Sequence, residues 1–253
     1  MSANSSTLLK FSNILAFALT ILVNALAGST TLIGGQVTAD VSDANFTLIT
    51  PAGYVFSIWG VIYVLLGIFV IFQALPSQQE KDFHNKIGWL FVLSSVLNIV
   101  WLFLWQYEYL LFSVVLMFML LATLIAIYLR LDIGKSSVDL REKIAVHLPF
   151  STYLGWITIA SIANVATTLV SINWDSFGLD PEIWALLIII VALLLSLIVV
   201  ITRRDVAYGL VIIWAFIGIS VAQTAQNIIT LTQISAVIVL VTLVATILIK
   251  KLR

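Results

Sequence analysis

The sequence predicts an all-α protein, a polytopic membrane helix bundle of about eight transmembrane helices. Two features of composition and one of charge lead there. The chain is 62% hydrophobic and only 9% charged, with a mean hydropathy of +1.15, so polar groups cannot cover a water-facing surface. Apolar runs of about 18 residues or more recur along its length, each long enough to cross the hydrocarbon core of a bilayer. The period-two alternation of a membrane β-barrel is absent. The third feature, charge, is read once the spans are placed.

In chain order the spans are Leu8–Ala27, Ala52–Leu75, Ile87–Tyr107, Tyr109–Leu131, Ile144–Val170, Ile183–Ile201, Val206–Ala222 and Ile234–Ile249. The first carries Lys10 at its N-terminal end. Lys10, the apolar run and Ala25-Leu26-Ala27 also fit a secretory signal with a small-residue cleavage site, which would leave seven spans and the same charge pattern. The second opens at Pro51, suited to the first turn of a helix because its missing N–H removes no bond, and Pro76-Ser77 ends it. The third and fourth form a hairpin with Glu108 at the tip, and Gly134–Ser137 follows the fourth. Pro149 starts or kinks the fifth. Asp180-Pro181-Glu182 opens the sixth, and Gln223, Gln226 and Asn227 read as helix-end caps in the turn before the eighth.

Charge tests the count. With connections numbered alternately, all twelve basic residues fall on one side: Lys10, Lys81, Lys86, Arg130, Lys135, Arg141, Lys143, Arg203, Arg204, Lys250, Lys251 and Arg253. The other side holds only acids, namely Asp40, Asp43, Glu108, Asp175, Asp180 and Glu182. A miscounted span would scramble this pattern, so the positive-inside rule supports eight spans with both termini cytoplasmic. A bacterial inner membrane is the expected location.

Composition also excludes function classes. There is no cysteine, hence no disulfide, thiolate metal site or cysteine nucleophile. Net charge is zero and no basic cluster suits nucleic acid. No Asp, Glu, Lys or Arg sits well inside a span, and no inverted repeat is evident, which counts against an ion-coupled pump or carrier. The spans hold no acid–base pair, metal cluster or nucleophile, so no enzyme is expected, no catalytic residue and no metal site.

Three spans carry aromatic and amide residues at helical spacing. Phe56, Trp59 and Tyr63 stand at i, i+3 and i+7 on the second span, as do Asn98, Trp101 and Trp105 on the third, so each set lines one face. On the fifth, Tyr153, Trp156, Ala160 and Asn164 share a stripe. Counting inward at ~1.5 Å per residue, Trp59 and Tyr63 lie roughly 10–17 Å deep, Asn98 and Trp101 about 8–14 Å, Asn164 about 9 Å and Trp156 on the order of 20 Å. An aromatic-walled pocket with a few polar groups fits this pattern. Plain packing fits it too. Trp89, Trp105, Trp174 and Trp184 read as interface anchors, and Asn98 and Asn164 as interhelical hydrogen bonds of about 0.6–2 kcal/mol.

The residues resemble a family. Pro51-x-x-Tyr54-x-Phe56-x-x-Trp59-x-x-Ile62-Tyr63-x-x-Leu66-Gly67 is similar to the second-helix signature of the TspO/MBR family, the tryptophan-rich sensory or translocator proteins, with Tyr54 where Trp is usual. Leu97-Asn98-x-x-Trp101-x-x-x-Trp105 resembles its third-helix pattern, with Trp105 in place of Phe and Ser94 in place of a common Gln. Tyr153-Leu154-Gly155-Trp156, Ala160 and Asn164 resemble its fifth-helix pattern, although Pro149 stands seven rather than four residues before Trp156, and Asn173 matches the Asn that closes that helix. The resemblance covers roughly residues 8–174. It implies a five-helix core, residues 1–174, and makes residues 175–253 a C-terminal extension of three spans.

The resemblance further implies a cavity lined by Trp59, Tyr63, Asn98, Trp101, Trp156, Ala160 and Asn164, closed by a lid of residues 28–50. Its ligands would be porphyrins such as protoporphyrin IX or haem, sterol-like lipids in some members, and benzodiazepine-type compounds. The expected partners are the lipid bilayer, a small hydrophobic ligand and a second copy in a homodimer, and the role is sensory or transport-related. An uncoupled permease using the last three spans is the alternative. Leu124-x-x-x-Tyr128-x-Arg130 fits a loose sterol-contact pattern and reads better as an interfacial anchor. His147 and His84 lack partners at ligand spacing, and Asn45-Phe46-Thr47 is a glycosylation sequon.

Overall fold

A computed structural model describes residues 3–252, and the side chains of residues 7–249. Arg253 and the side chains of Lys250 and Lys251, part of the one-sided charge pattern, lie outside that range. The fold is all-α, with no strand among the described residues. The helices are α1 (Ala3–Ser29), α2 (Thr38–Ala44), α3 (Ile58–Ala74), α4 (Phe83–Ile87), α5 (Leu90–Gln106), α6 (Leu110–Leu131), α7 (Leu140–Glu142), α8 (Leu148–Ser171), α9 (Pro181–Arg203), α10 (Val206–Ala222) and α11 (Gln226–Leu252). Six helical stretches are long and apolar enough to cross a membrane. Leu90–Gln106 and Val206–Ala222 are shorter apolar helices, at the lower edge of spanning length. These eight are the eight expected spans.

Three details differ from the sequence reading. Pro51 precedes the helix instead of opening it: Gly53–Ser57 is a 3-10 turn and α3 begins at Ile58. The Ala52 N–H bonds Gly218 O at 3.0 Å instead, and Gly218 must be glycine because a Cβ there would run into Val55. The eighth helix starts at Gln226, eight residues early. Its Thr232 hydroxyl bonds Ile228 O at 2.8 Å, so polar residues that read as loop are satisfied inside the helix. Helix α8 continues from α7 through a π turn at Lys143–His147. Pro149 sits just beyond it, and the wider turn accommodates the ring that would clash with the carbonyl four residues back.

Helix ends are built alike. After α8, Asn173 adopts φ 52°, with Asn173 N–H to Val170 O and Trp174 N–H to Leu169 O. This is a Schellman cap, so Asn173 closes the helix as its resemblance implies. Glu108 and Asp132 do the same after α5 and α6.

The chain packs as two compact units, residues up to Val41 with Trp59–Leu154, and Ser42–Ile58 with Gly155 onward. In the first, α5 packs on α1 and α6. Its core is an aromatic cluster in which Phe69 meets Phe91 at 5.1 Å and Phe150 at 5.0 Å, edge-on pairs worth about 0.5–1.5 kcal/mol each beyond burial. Asn13 donates to Gln73 at 2.8 Å, joining α1 to α3. In the second unit, α9, α10 and α11 pack on one another.

Contacts test the parity of the connections. Lys81, in the second connection, pairs with Asp139 at 2.7 Å and Glu142 at 3.4 Å, in the fourth. On the opposite parity, Gln36 donates to Glu108 at 2.9 Å, and Asn227 donates to Glu182 at 2.8 Å. Even connections meet even and odd meet odd within each unit, which an odd number of missed spans would forbid.

Candidate functional site

Helix periodicity puts Trp59 and Tyr63 one turn apart on α3, and their rings stack at 5.6 Å with planes 18° apart. Trp59 is the hub of the first unit's second aromatic cluster, reaching Trp101 of α5 at 6.3 Å and Tyr153 of α8 at 6.0 Å. Trp101 carries the contact on to Trp105 at 5.7 Å. Three separate helices, α3, α5 and α8, therefore converge through one indole.

An amide sits among these rings. Asn98 is completely buried. Its Oδ1 accepts from Asn24 Nδ2 of α1 at 2.7 Å. Its Nδ2 has no hydrogen-bond partner, nor does the buried hydroxyl of Tyr63. Two donors held away from water without acceptors are costly, on the order of 1–3 kcal/mol each. Both could serve a ligand's carboxylate or carbonyl.

Of the expected cavity residues, Trp59, Tyr63, Asn98 and Trp101 gather in the first unit. Trp156, Ala160 and Asn164 belong to the second, along one stripe of α8. There Trp156 is buried and meets Phe56 edge-on at 6.0 Å, Asn164 is buried, and the Asn164 carbonyl accepts from Thr168. Phe56 itself lies in the 3-10 turn, so it does not continue the α3 stripe.

The connection expected to act as a lid is latched by buried amides. In the first unit Gln106 is fully buried, and its Nε2 donates to Ala27 O at 3.0 Å and Gln36 O at 2.9 Å. The Trp105 indole donates to Thr38 O at 3.1 Å. Gly34, at φ +71°, passes so close that a Cβ would lie 2.7 Å from Gln106 C. In the second unit Gln223 donates to Thr47 O at 3.0 Å and Thr50 O at 2.9 Å. Gln223 is thus a clamp on the loop and not a helix-end cap. Its partners lie more than 170 positions away, beyond any local pattern.

Several anchors are reassigned. Trp105 is only 6% exposed and its N–H goes to Thr38 O of the first connection, so it is no interface anchor, whereas Trp89 at 50% exposure fits that role. Leu124 and Tyr128 are buried, facing protein and not sterol or headgroups. His84 stacks on Phe83 at 4.2 Å and its Nε2 meets Gln78 O at 2.9 Å. Burial, with Lys10 assisting and the Gln78 carbonyl opposing, sets its pKa below the ordinary histidine value. Among the described residues no His, Asp or Glu group is arranged to hold a metal ion.

These features define an integral, multi-pass helical membrane protein with an amide-and-indole cluster between its spans. The model of the family described as TSPO-like protein matches residues 10–249, through all eight apolar helices. The chain belongs to that family, and the TspO/MBR resemblance holds. Comparison with curated proteins and with solved structures finds no match.

Proposed function

We propose that the protein binds a flat hydrophobic ligand of the tetrapyrrole kind, in a sensory or transport-related role and without chemical turnover. The observation that carries this reading is the cluster of Trp59, Tyr63, Trp101 and Asn98, in which the Asn98 amide and the Tyr63 hydroxyl lack acceptors. Ring faces that now stack on one another suit an aromatic macrocycle, and the two donors suit its propionates. The chain's own residues supply stacking, hydrogen bonds and exclusion of water.

The test is titration of the purified protein with protoporphyrin IX while tryptophan fluorescence is followed. Saturable quenching is expected, weakened at least tenfold by Trp59→Ala and by Asn98→Leu. Wild-type affinity in both variants overturns the reading. The family resemblance extends the candidate set to Trp156, Ala160 and Asn164, and Trp156→Ala in the same titration tests that extension. We also place both termini in the cytoplasm of a bacterial inner membrane, because the basic residues all share one parity. A cysteine at position 2 protected from an impermeant maleimide in intact cells supports this, and labelling there refutes it.

A further inference from the structure

A cavity wholly within the second unit takes no part in that reading. It is half-open, measures ≈ 190 Å³, and lies between Ile49 of the first connection, the end of α8 at Ala166 and Val170, and the start of α9 at Trp184 and Ala185. Its lining is apolar apart from Thr47 and Ser176. An engineered apolar cavity of about 150 Å³ holds benzene, so this one suits a one- or two-ring group and not a macrocycle.

The mouth is aromatic and angled. Trp174 meets Trp184 at 5.1 Å with planes 59° apart, and Phe177 approaches Trp174 at 5.1 Å and Trp184 at 6.3 Å. Phe177 is 77% exposed yet held at φ 52°, a conformation costing on the order of 1–3 kcal/mol in a non-glycine residue. Asp175 takes the Phe177 N–H on Oδ1 at 3.0 Å, which orients the loop, and the Trp184 indole donates to Ser176 O at 2.6 Å. Trp174 and Trp184 line the cavity and Phe177 packs on them from outside the lining, so the outward π faces of this group are what an ammonium at the mouth would meet.

Charge agrees. Asp175, Asp180 and Glu182 each adjoin a lining residue in the chain, and residues 155–202 contain no Lys, Arg or His. An anion would meet only negative neighbours there, and a neutral ligand would gain nothing from them. We infer that this cavity binds a hydrophobic cation, with one or two apolar rings inside and a quaternary or tertiary ammonium against Trp174, Phe177 and Trp184.

The experiment uses full-length protein labelled with 5-fluorotryptophan in dodecyl maltoside, with the Trp174 and Trp184 fluorine resonances assigned by Trp→Phe variants. The probes are benzyltrimethylammonium, its neutral isostere neopentylbenzene, and phenylacetate. Saturable shifts of both resonances are expected with the cation, at an affinity at least tenfold above either other probe. Phe177→Ser should weaken cation binding threefold or more, and Asp175→Asn with Asp180→Asn should narrow the gap between cation and isostere. Ala185→Leu should abolish the shifts while the other tryptophan resonances keep their positions. Micelles doped with phosphatidylcholine distinguish a lipid headgroup from a free cation: shifts without added probe assign the same site to the lipid. Equal affinity for cation and isostere, or full cation binding by Ala185→Leu, overturns the inference. Its failure would leave the porphyrin titration untouched.

Discussion

Asn24 Nδ2 donates to Asn98 Oδ1 at 2.7 Å, joining the first span to the third beside the aromatic hub. The bond uses the acceptor of Asn98 and leaves its donor over. Asn24→Leu removes the Asn24 amide and leaves the buried Oδ1 without that donor. The expected loss is about 0.6–2 kcal/mol, the range for interhelical hydrogen bonds in membranes, measurable by unfolding in mixed micelles. Unchanged stability would mean that the amide contributes nothing to the packing of α1 on α5.

The first connection should loosen when its glutamine clamps are removed. Gln106→Ala deletes two buried bonds to backbone carbonyls, leaving Ala27 O with only the longer bond from the Thr38 hydroxyl at 3.3 Å, at about 1–3 kcal/mol. Hydrogen exchange should rise at residues 34–38, and Gln223→Ala should raise it at residues 47–50. Each effect should stay at its own end of the connection, since the two amides hold different residues.

Two neighbouring glycines should respond differently to alanine. Gly34 and Gly35 both have positive φ, +71° and +76°, which costs an L residue about 1–2 kcal/mol. Only at Gly34 does a Cβ also collide with the Gln106 backbone. Gly35→Ala should therefore cost about 1–2 kcal/mol and Gly34→Ala roughly 3 kcal/mol or more. Equal melting temperatures for the two variants would contradict the close approach.

Acid should act in two stages. The folded protein holds His84 below its ordinary pKa, so as pH falls through about 6.5 the unfolded chain takes up that proton first and stability declines. His84→Gln should flatten the melting profile between about pH 7 and pH 5. Lys81 holds the Asp139 carboxyl below its usual range, a contribution present above about pH 4 and lost as pH falls through the folded value. Asp139→Asn should remove only the second decline, and that change should be small because the pair is exposed.

Four of the seven expected cavity residues meet in one place because helical spacing is periodic: Trp59 and Tyr63 can only share a face of α3. The tyrosine that completes the hub, Tyr153, stood in the same motif without being assigned to the cavity. What sequence spacing missed are the partners at long range. Asn24 and Gln106 show no local pattern, because a lone amide in an apolar run gives no sign of which helix it will face. Residue type alone makes Trp105 and Tyr128 interface anchors, whereas burial depends on which side of the helix a neighbour covers.

The number of spans, their parity and the aromatic stripes follow from the sequence alone, since a bilayer enforces length, apolarity and charge bias segment by segment. Tertiary structure alone decided that α11 begins at Gln226, that buried glutamines clamp the long connection, and that Asn98 keeps a free donor. Those outcomes depend on which polar groups find partners across 60 or more positions, and no local rule encodes such a meeting.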